Sequence, residues 1–264
     1  MPESNPSHST SMAGASIIIT RPKANAAGLA RAARACAAEV VLLPGVVISE
    51  VDAVDAARSA LKAAHSADHW IFTSPNAVRF CRRLLGAGST PDWPQALAVG
   101  EGTRRALARH TIAAIAPRGA QNSEGLLAEP VLARVKGKTF AIIDAPGGRD
   151  LLAPTLRERG AQVERIAVYQ RKPPALQHSH FLALQQAPRP WISLVSSSLI
   201  LNNLLAVIPQ ELRLRWQQEA LVVSSARLAE QAHELGFSDV HEARSALGSD
   251  LLEAARLVLS RHRI

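Results

Sequence analysis

The chain is poor in cysteine and in aromatics. Its 264 residues include two cysteines, Cys36 and Cys81, with no CxxC spacing, and a single tyrosine, Tyr169. That excludes a disulfide framework and a cysteine-rich metal site, and both cysteines are expected as buried free thiols. The close histidine sets, His178 with His180 and His65 with His69, lack a Cys or carboxylate placed to complete a metal site, so no metal is expected. No apolar run approaches the roughly 18–20 residues needed to cross a bilayer, so no membrane partner is expected. Residues 1–14, rich in Ser, Pro and Asn, lack the basic-then-apolar order of a secretory leader and read as a disordered tail on a cytoplasmic protein. Phe, Trp and Tyr make up only 4% of the chain, while Ala, Leu and Val dominate. Helices packed on buried strands fit that composition better than a sandwich or barrel. The net charge of +8 calls for an anionic partner. Aromatics interleaved with basic residues are missing, so nucleic acid is not expected and an anionic small molecule is the better match.

What the chain does contain is one pattern written twice, about 124 residues apart. Ile17-Ile18-Ile19-Thr20 is answered by Ile142-Ile143-Asp144, and Glu39-Val40-Val41 by Gln162-Val163-Glu164. Trp70-Ile71-Phe72-Thr73-Ser74 is answered by Trp191-Ile192-Ser193-Leu194-Val195-Ser196-Ser197. Ala98-Val99-Gly100 matches Val222-Val223-Ser224, and Ser123-Glu124-Gly125-Leu126-Leu127 matches Ser249-Asp250-Leu251-Leu252. Short apolar runs alternate with helical stretches throughout, as in parallel sheets covered by helices. The fold class expected is α/β: two similar flavodoxin-like or Rossmann-like parallel-sheet domains.

Two stretches break the alternation. Residues 44–50 and 163–173 both have strand period and sit where one unit hands over to the other. They are expected to form a two-stranded β-ladder hinge. Domain 1 would then be discontinuous, built from 15–46 and 173–264, with domain 2 inserted at 50–168. On the residues alone, a tandem arrangement cut near 136 stays open.

In an open parallel sheet, ligands gather at the carboxyl ends of the strands. Polar residues stand at those ends: Thr20 and Arg21, Thr73 and Ser74, Gly100 and Thr103, Asn122 and Ser123, Gly147 and Gly148, Ser196 and Ser197, Ser224 and Ser225. Each pair precedes a helix whose first N–H groups lack partners. Each therefore reads either as an anion contact or as a plain N-cap. Gly100-Glu101-Gly102 opens like a dinucleotide fingerprint, but Arg105 stands at the third glycine position. There is no GxxxxGK[ST] loop and no GxSxG elbow, so neither a nucleotide site nor a nucleophilic triad is indicated. Tyr169 reads as an amphipathic residue at a strand end, or, beside a hinge, as a proton donor.

These segments, in this order, resemble uroporphyrinogen-III synthases from end to end apart from the N-terminal tail. The likeness rests on Ile18-Ile19-Thr20-Arg21-Pro22, Leu43-Pro44, Ile71-Phe72-Thr73-Ser74-Pro75-Asn76-Ala77-Val78, Ala98-Val99-Gly100-Glu101-Gly102-Thr103 and Ser123-Glu124-Gly125-Leu126-Leu127. It continues through Gly147-Gly148-Arg149-Asp150-Leu151-Leu152, Val168-Tyr169, Val195-Ser196-Ser197-Ser198 and Ser224-Ser225-Ala226-Arg227-Leu228-Ala229. The resemblance implies two α/β domains joined by a two-stranded ladder. It also implies a cofactor-independent lyase of haem biosynthesis, a monomer acting on hydroxymethylbilane, a linear tetrapyrrole with eight carboxylates. Loss of water and inversion of ring D would give uroporphyrinogen III. The family pattern makes Tyr169 the proton donor to the departing hydroxyl. The chain departs from that pattern at Asp144-Ala145-Pro146, where relatives carry a basic residue and Gly-Asn, so Asp144 is not expected to touch the substrate. The residues themselves also fit a non-enzymatic two-domain protein that binds an anionic small molecule.

Overall fold

The computed structural model describes residues 11–86, 92–147 and 150–262. It divides into two compact units: the described residues up to Val47 join those from Lys172 onward, and Ile48–Arg171 form the other. The chain opens in the first unit with β1 (Ser16–Ile19), α1 (Lys23–Ala35) and β2 (Glu39–Leu42), then leaves it through β3 (Val47–Glu50). The second unit runs α2 (Val54–Ala63), β4 (His69–Phe72), α3 (Pro75–Leu85), β5 (Gln95–Ala98), α4 (Glu101–Ala108) and β6 (Ala114–Ile115). It continues with α5 (Ser123–Leu127), β7 (Thr139–Asp144), α6 (Leu152–Glu158) and β8 (Gln162–Ala167). After β9 (Tyr169–Lys172) the first unit resumes with α7 (His178–Gln186), β10 (Trp191–Val195), α8 (Ser198–Val207) and α9 (Gln210–Gln217). It closes with β11 (Ala220–Val223), α10 (Ala226–Glu234), β12 (Val240–Glu242) and α11 (Gly248–His262).

Each unit holds a five-stranded parallel sheet, ordered β12-β11-β10-β1-β2 in the first and β6-β5-β4-β7-β8 in the second. Matching the two repeats pairs β1 and β2 with β7 and β8, and β4, β5 and β6 with β10, β11 and β12. The strand orders then coincide, yet each sheet takes two strands from one repeat and three from the other. A tandem cut near 136 is ruled out, because β1 pairs with β10 in the register Ser16 to Trp191. The run 163–173, expected as one crossing strand, is two. Its first part is β8, paired along its length with β7, and only β9 pairs with β3.

Local chemistry explains the elements. Ala-rich α1 buries Ala26, Leu29, Ala30 and Ala33, a helical stripe against the sheet, and ends at Cys36 before Ala37 in a left-handed conformation. β1 and β10 are buried at every position, as expected of central parallel strands covered on both faces. In β4, Trp70 and Phe72 enter one core with Phe80 and Val78, while Ile71 enters the opposite one with Phe140, Ile142 and Leu156. Helix α5 stops at Leu127 and is followed by a 3-10 turn at Pro130–Leu132. Pro130 supplies no N–H for a continuing helix and clashes with the preceding turn. Within residues 11–14, expected in a disordered tail, Met12 is fully buried and its N–H reaches the Cys36 carbonyl at 2.7 Å, while Ser11, Ala13 and Gly14 are exposed. Both cysteines are buried free thiols. Among the described residues no helix is long and apolar enough to cross a membrane.

Candidate active site

In the second unit, the carboxyl ends of β4, β7 and β8 surround a cavity of about 190 Å³. Thr73, Ser74, Ser123, Asp144, Arg165 and Arg171 are among its lining residues. Ser74 is the N-cap of α3. Its Oγ accepts from the Ala77 N–H at 3.1 Å, and Pro75 follows at the first helical position. The same Oγ lies 3.0 Å from the Tyr169 hydroxyl. Arg171 donates to that phenolic oxygen at 3.1 Å, and its guanidinium carbon sits 5.5 Å from the ring centre. The Tyr169 ring is buried and stacks on Phe80 at 5.7 Å. Tyr169 thus has a fixed ring, and its oxygen is held between a hydroxyl and a cation.

Asp144 is buried and takes two hydrogen bonds from Arg165, one of them from Nε at 3.0 Å. Arg165 also reaches the half-exposed Asp150 at 3.1 Å. Burial pushes the Asp144 carboxyl above its ordinary range, and Arg165 pulls it only part of the way back. Its hydrogen bond to Asp144 in turn holds Arg165 charged. In the β7–β8 register Arg165 lies opposite Ile142, two residues from Asp144, so the pair shares a face. Asp144 therefore lines the cavity, but with its charge matched by Arg165 rather than open to repel an anion.

The other predicted positions of this unit are N-caps or outlying. Gly100 caps α4 with extended backbone, and the first α4 amide, from Glu101, is taken by Gln121 Oε1 at 2.6 Å. Thr103 is buried in that helix. Asn122 caps α5 through the Gly125 N–H at 2.9 Å. Thr73 makes only a long contact, 3.4 Å to the Ile143 carbonyl, which leaves its hydroxyl available. Gly147 is exposed in a left-handed turn that favours glycine. Gly148 and Arg149 lie outside the described residues. Sequence reasoning did not single out Arg165 and Arg171, which line the cavity. The signal for Arg165 is its register against β7; for Arg171 it is its position two residues beyond Tyr169 on one strand face.

In the first unit, Thr20 is fully buried and its hydroxyl donates to the Leu194 carbonyl at 2.7 Å. That bond ties the end of β1 to β10. Thr20→Val should lower stability by about 1–3 kcal/mol, the cost of leaving a buried acceptor unmatched, and thermal melts would read the loss. Arg21 donates to the Ala246 carbonyl, while its Nε is buried without a partner. Burial pulls Arg21 below its ordinary pKa. Ser197 caps α8 through the Ile200 N–H at 3.3 Å, and Ser224 Oγ donates to the Ser196 carbonyl at 3.3 Å. Ser225 stands at the cap of α10 without making a side-chain cap bond.

The uroporphyrinogen-III synthase HemD family model matches residues 27–253. The chain is 31% identical to the uroporphyrinogen-III synthase of Escherichia coli K12 over 245 residues, 90% of this chain and 99% of that one. It is 35% identical to the Salmonella typhimurium enzyme of the same name over 194 residues, 69% of this chain and 75% of that one. Among solved structures, uroporphyrinogen-III synthetase from Helicobacter pylori 26695 shares the fold with a TM-score of 0.59 at 16% identity, covering 92% of this chain and 99% of that one. A mutant uroporphyrinogen III synthase from the extremely thermophilic bacterium Thermus thermophilus gives 0.58 at 20% identity, with 94% and 99% covered. Sequence family, full-length relatives and shared architecture agree: the chain belongs to the uroporphyrinogen-III synthase family.

Proposed function

We propose that this chain closes hydroxymethylbilane into uroporphyrinogen III, with loss of water and inversion of ring D, and that Tyr169 supplies the proton that lets the hydroxyl leave. The arrangement around the phenol carries this reading: ring clamped on Phe80, oxygen 3.0 Å from Ser74 and 3.1 Å from Arg171, both of which line a cavity that also bears Thr73, Ser123 and the Asp144–Arg165 pair. The Tyr169 proton passes to the leaving hydroxyl, the carbon–oxygen bond breaks, and the pyrrole nitrogen lone pair fills the vacancy as water departs. Arg171 faces the negative charge that then develops on the phenolic oxygen. Attack by the substituted carbon of ring D forms a spiro intermediate. Its rearrangement inverts that ring, and the proton the macrocycle loses at closure restores the phenol. No external oxidant or reductant enters the balance.

Freed of its hydroxyl, the bilane closes in water without inversion, so the protein's main task is to hold the two end rings. Positioning of this kind is worth roughly 7–11 kcal/mol in favourable intramolecular cases. Thr73 and Ser123 are the groups proposed to hold substrate carboxylates in the second unit, and Arg21 in the first. We further infer a monomer in the cytoplasm with no nucleic-acid partner. A monomer accords with the exposed large apolar side chains among the described residues, Leu182, Leu199, Val207, Leu214, Leu247 and Leu257, being distributed over α7, α8, α9, α11 and the bend before α11. The test is purified protein given freshly generated hydroxymethylbilane, followed by oxidation and separation of the isomers. Type III should dominate, and type I alone would overturn the reading.

A further inference from the structure

A second cavity, of about 280 Å³, lies wholly within the first unit. Arg21 and Lys23 line it from the start of α1, Leu42 from the end of β2, and Ser179, His180 and Ala183 from α7. We infer that this cavity is a carboxylate subsite, in which Lys23, Arg21, Ser179 and His180 take the charged end of one acetate or propionate arm of the substrate and Leu42 and Ala183 take its methylenes.

Several observations point the same way. Among the described residues no carboxylate lines the cavity or pairs with Arg21 or Lys23. Arg21 keeps one guanidinium nitrogen buried without a partner. Pro22, at the cap of thirteen-residue α1, offers no side-chain acceptor to that helix's first amides. A partly buried arginine and an exposed lysine on a cavity without a counter-charge favour an anion there. His180 is already oriented for donation. Its Nδ1 accepts the Gln177 N–H at 3.0 Å, so Nε2 carries the ring proton. The remaining wall, with Ala26 and Pro44, is apolar. A free inorganic anion gains nothing from such a wall, whereas a carboxylate on a short methylene arm does. None of α7 was expected to bear on the substrate.

The subsite rests on the function proposed above, and the experiment separates the two. Lys23 is exposed, so Lys23→Ala should leave the melting temperature at the wild-type value; His180→Ala also removes the acceptor of the Gln177 N–H at the start of α7 and should lower it slightly while the protein stays folded. Loss of a hydrogen bond to a charged group should raise KM for hydroxymethylbilane about ten-fold in each variant. kcat and the type III fraction should stay put, because the arm is held equally before and during reaction. Lys23→Arg should restore KM, which a general packing role would not require. Fluorescence titration with oxidised octacarboxylate product reads the same loss of affinity without turnover. Inorganic phosphate at matched ionic strength should fail to compete. Unchanged KM and affinity in both alanine variants, or equal competition by phosphate, would overturn the subsite. A wild-type yield of type I alone would instead overturn the function, with the titration still reporting on the cavity.

Discussion

Replacing Tyr169 with phenylalanine should lower kcat for uroporphyrinogen III formation about 10²-fold while leaving the circular dichroism spectrum unchanged. The ring keeps its stacking partner Phe80 and its place in the core around Val78 and Val168, so nothing in the packing is removed. What disappears is the oxygen that lies between Ser74 and Arg171. General acid assistance contributes typically about 10²–10⁴-fold. The lower end is expected, because the pyrrole nitrogen itself expels the hydroxyl and needs only modest help. KM should change little, since the phenol is asked to act in the transition state rather than to hold carboxylates. The product should remain type III, because the isomer is set by how the two end rings are held and not by how water leaves. A wild-type rate in a folded variant would remove Tyr169 from the mechanism. A switch to type I would mean that the phenol positions a ring instead of donating a proton.

Much of this arrangement was legible in the sequence because it is written twice. The Trp-led strands β4 and β10 end in hydroxyls that cap the next helix in both units, Ser74 for α3 and Ser197 for α8, and a residue pattern serving the same geometry twice stands out from chance. The crossing at 163–173 was less clear. β8 and β9 follow one another with a single residue between them, and nothing local marks the change of partner at buried Val168, whose N–H already reaches the Asp144 carbonyl. Two helices carry little signal in the sequence. In α9, Leu212, Leu214 and Trp216 alternate like a strand. Only when Leu214 is seen to face solvent does the helical pair Leu212 and Trp216 emerge. In α7 only Leu184 is buried, too little for a stripe. At the site, hydroxyls at strand ends could be named but not sorted. Thr20 and Thr73 are equivalent in pattern, yet Thr20 spends its hydroxyl on Leu194 while Thr73 lines the cavity. Arg165 escaped notice because its importance comes from a neighbour 21 positions away in sequence, Asp144, that only strand pairing supplies.

The repeat also exposes a position where the two copies cannot be interchanged, and a large loss of stability is expected there. Gly125 in α5 corresponds to Leu251 in α11, yet a Cβ on Gly125 would fall 1.8 Å from the Ala120 carbonyl oxygen and 2.8 Å from its carbon. The obstacle is backbone, so no side chain can swing aside. Ala120 belongs to a loop that Gln121 ties to the Pro117 carbonyl at 2.7 Å and to the first amide of α4 at 2.6 Å. Arg118 adds a tie to Glu129 at 2.8 Å. Relieving the clash means moving that loop, uncapping α4 and displacing Ser123 at the cavity. Overpacking typically costs about 1–3 kcal/mol. With several ties broken together, Gly125→Ala should cost about 3 kcal/mol or more, a fall in melting temperature of roughly 6–12 °C for a chain of this size. Gly28→Ala is the matched control: mid-helix in α1, with nothing within 4 Å of the added carbon, it should raise stability by about 0.5–1 kcal/mol. Thermal melts of the two variants side by side would decide the matter, and a Gly125→Ala protein that melts at or above the wild-type temperature would show that the loop carrying Ala120 moves freely and does not fix Ser123.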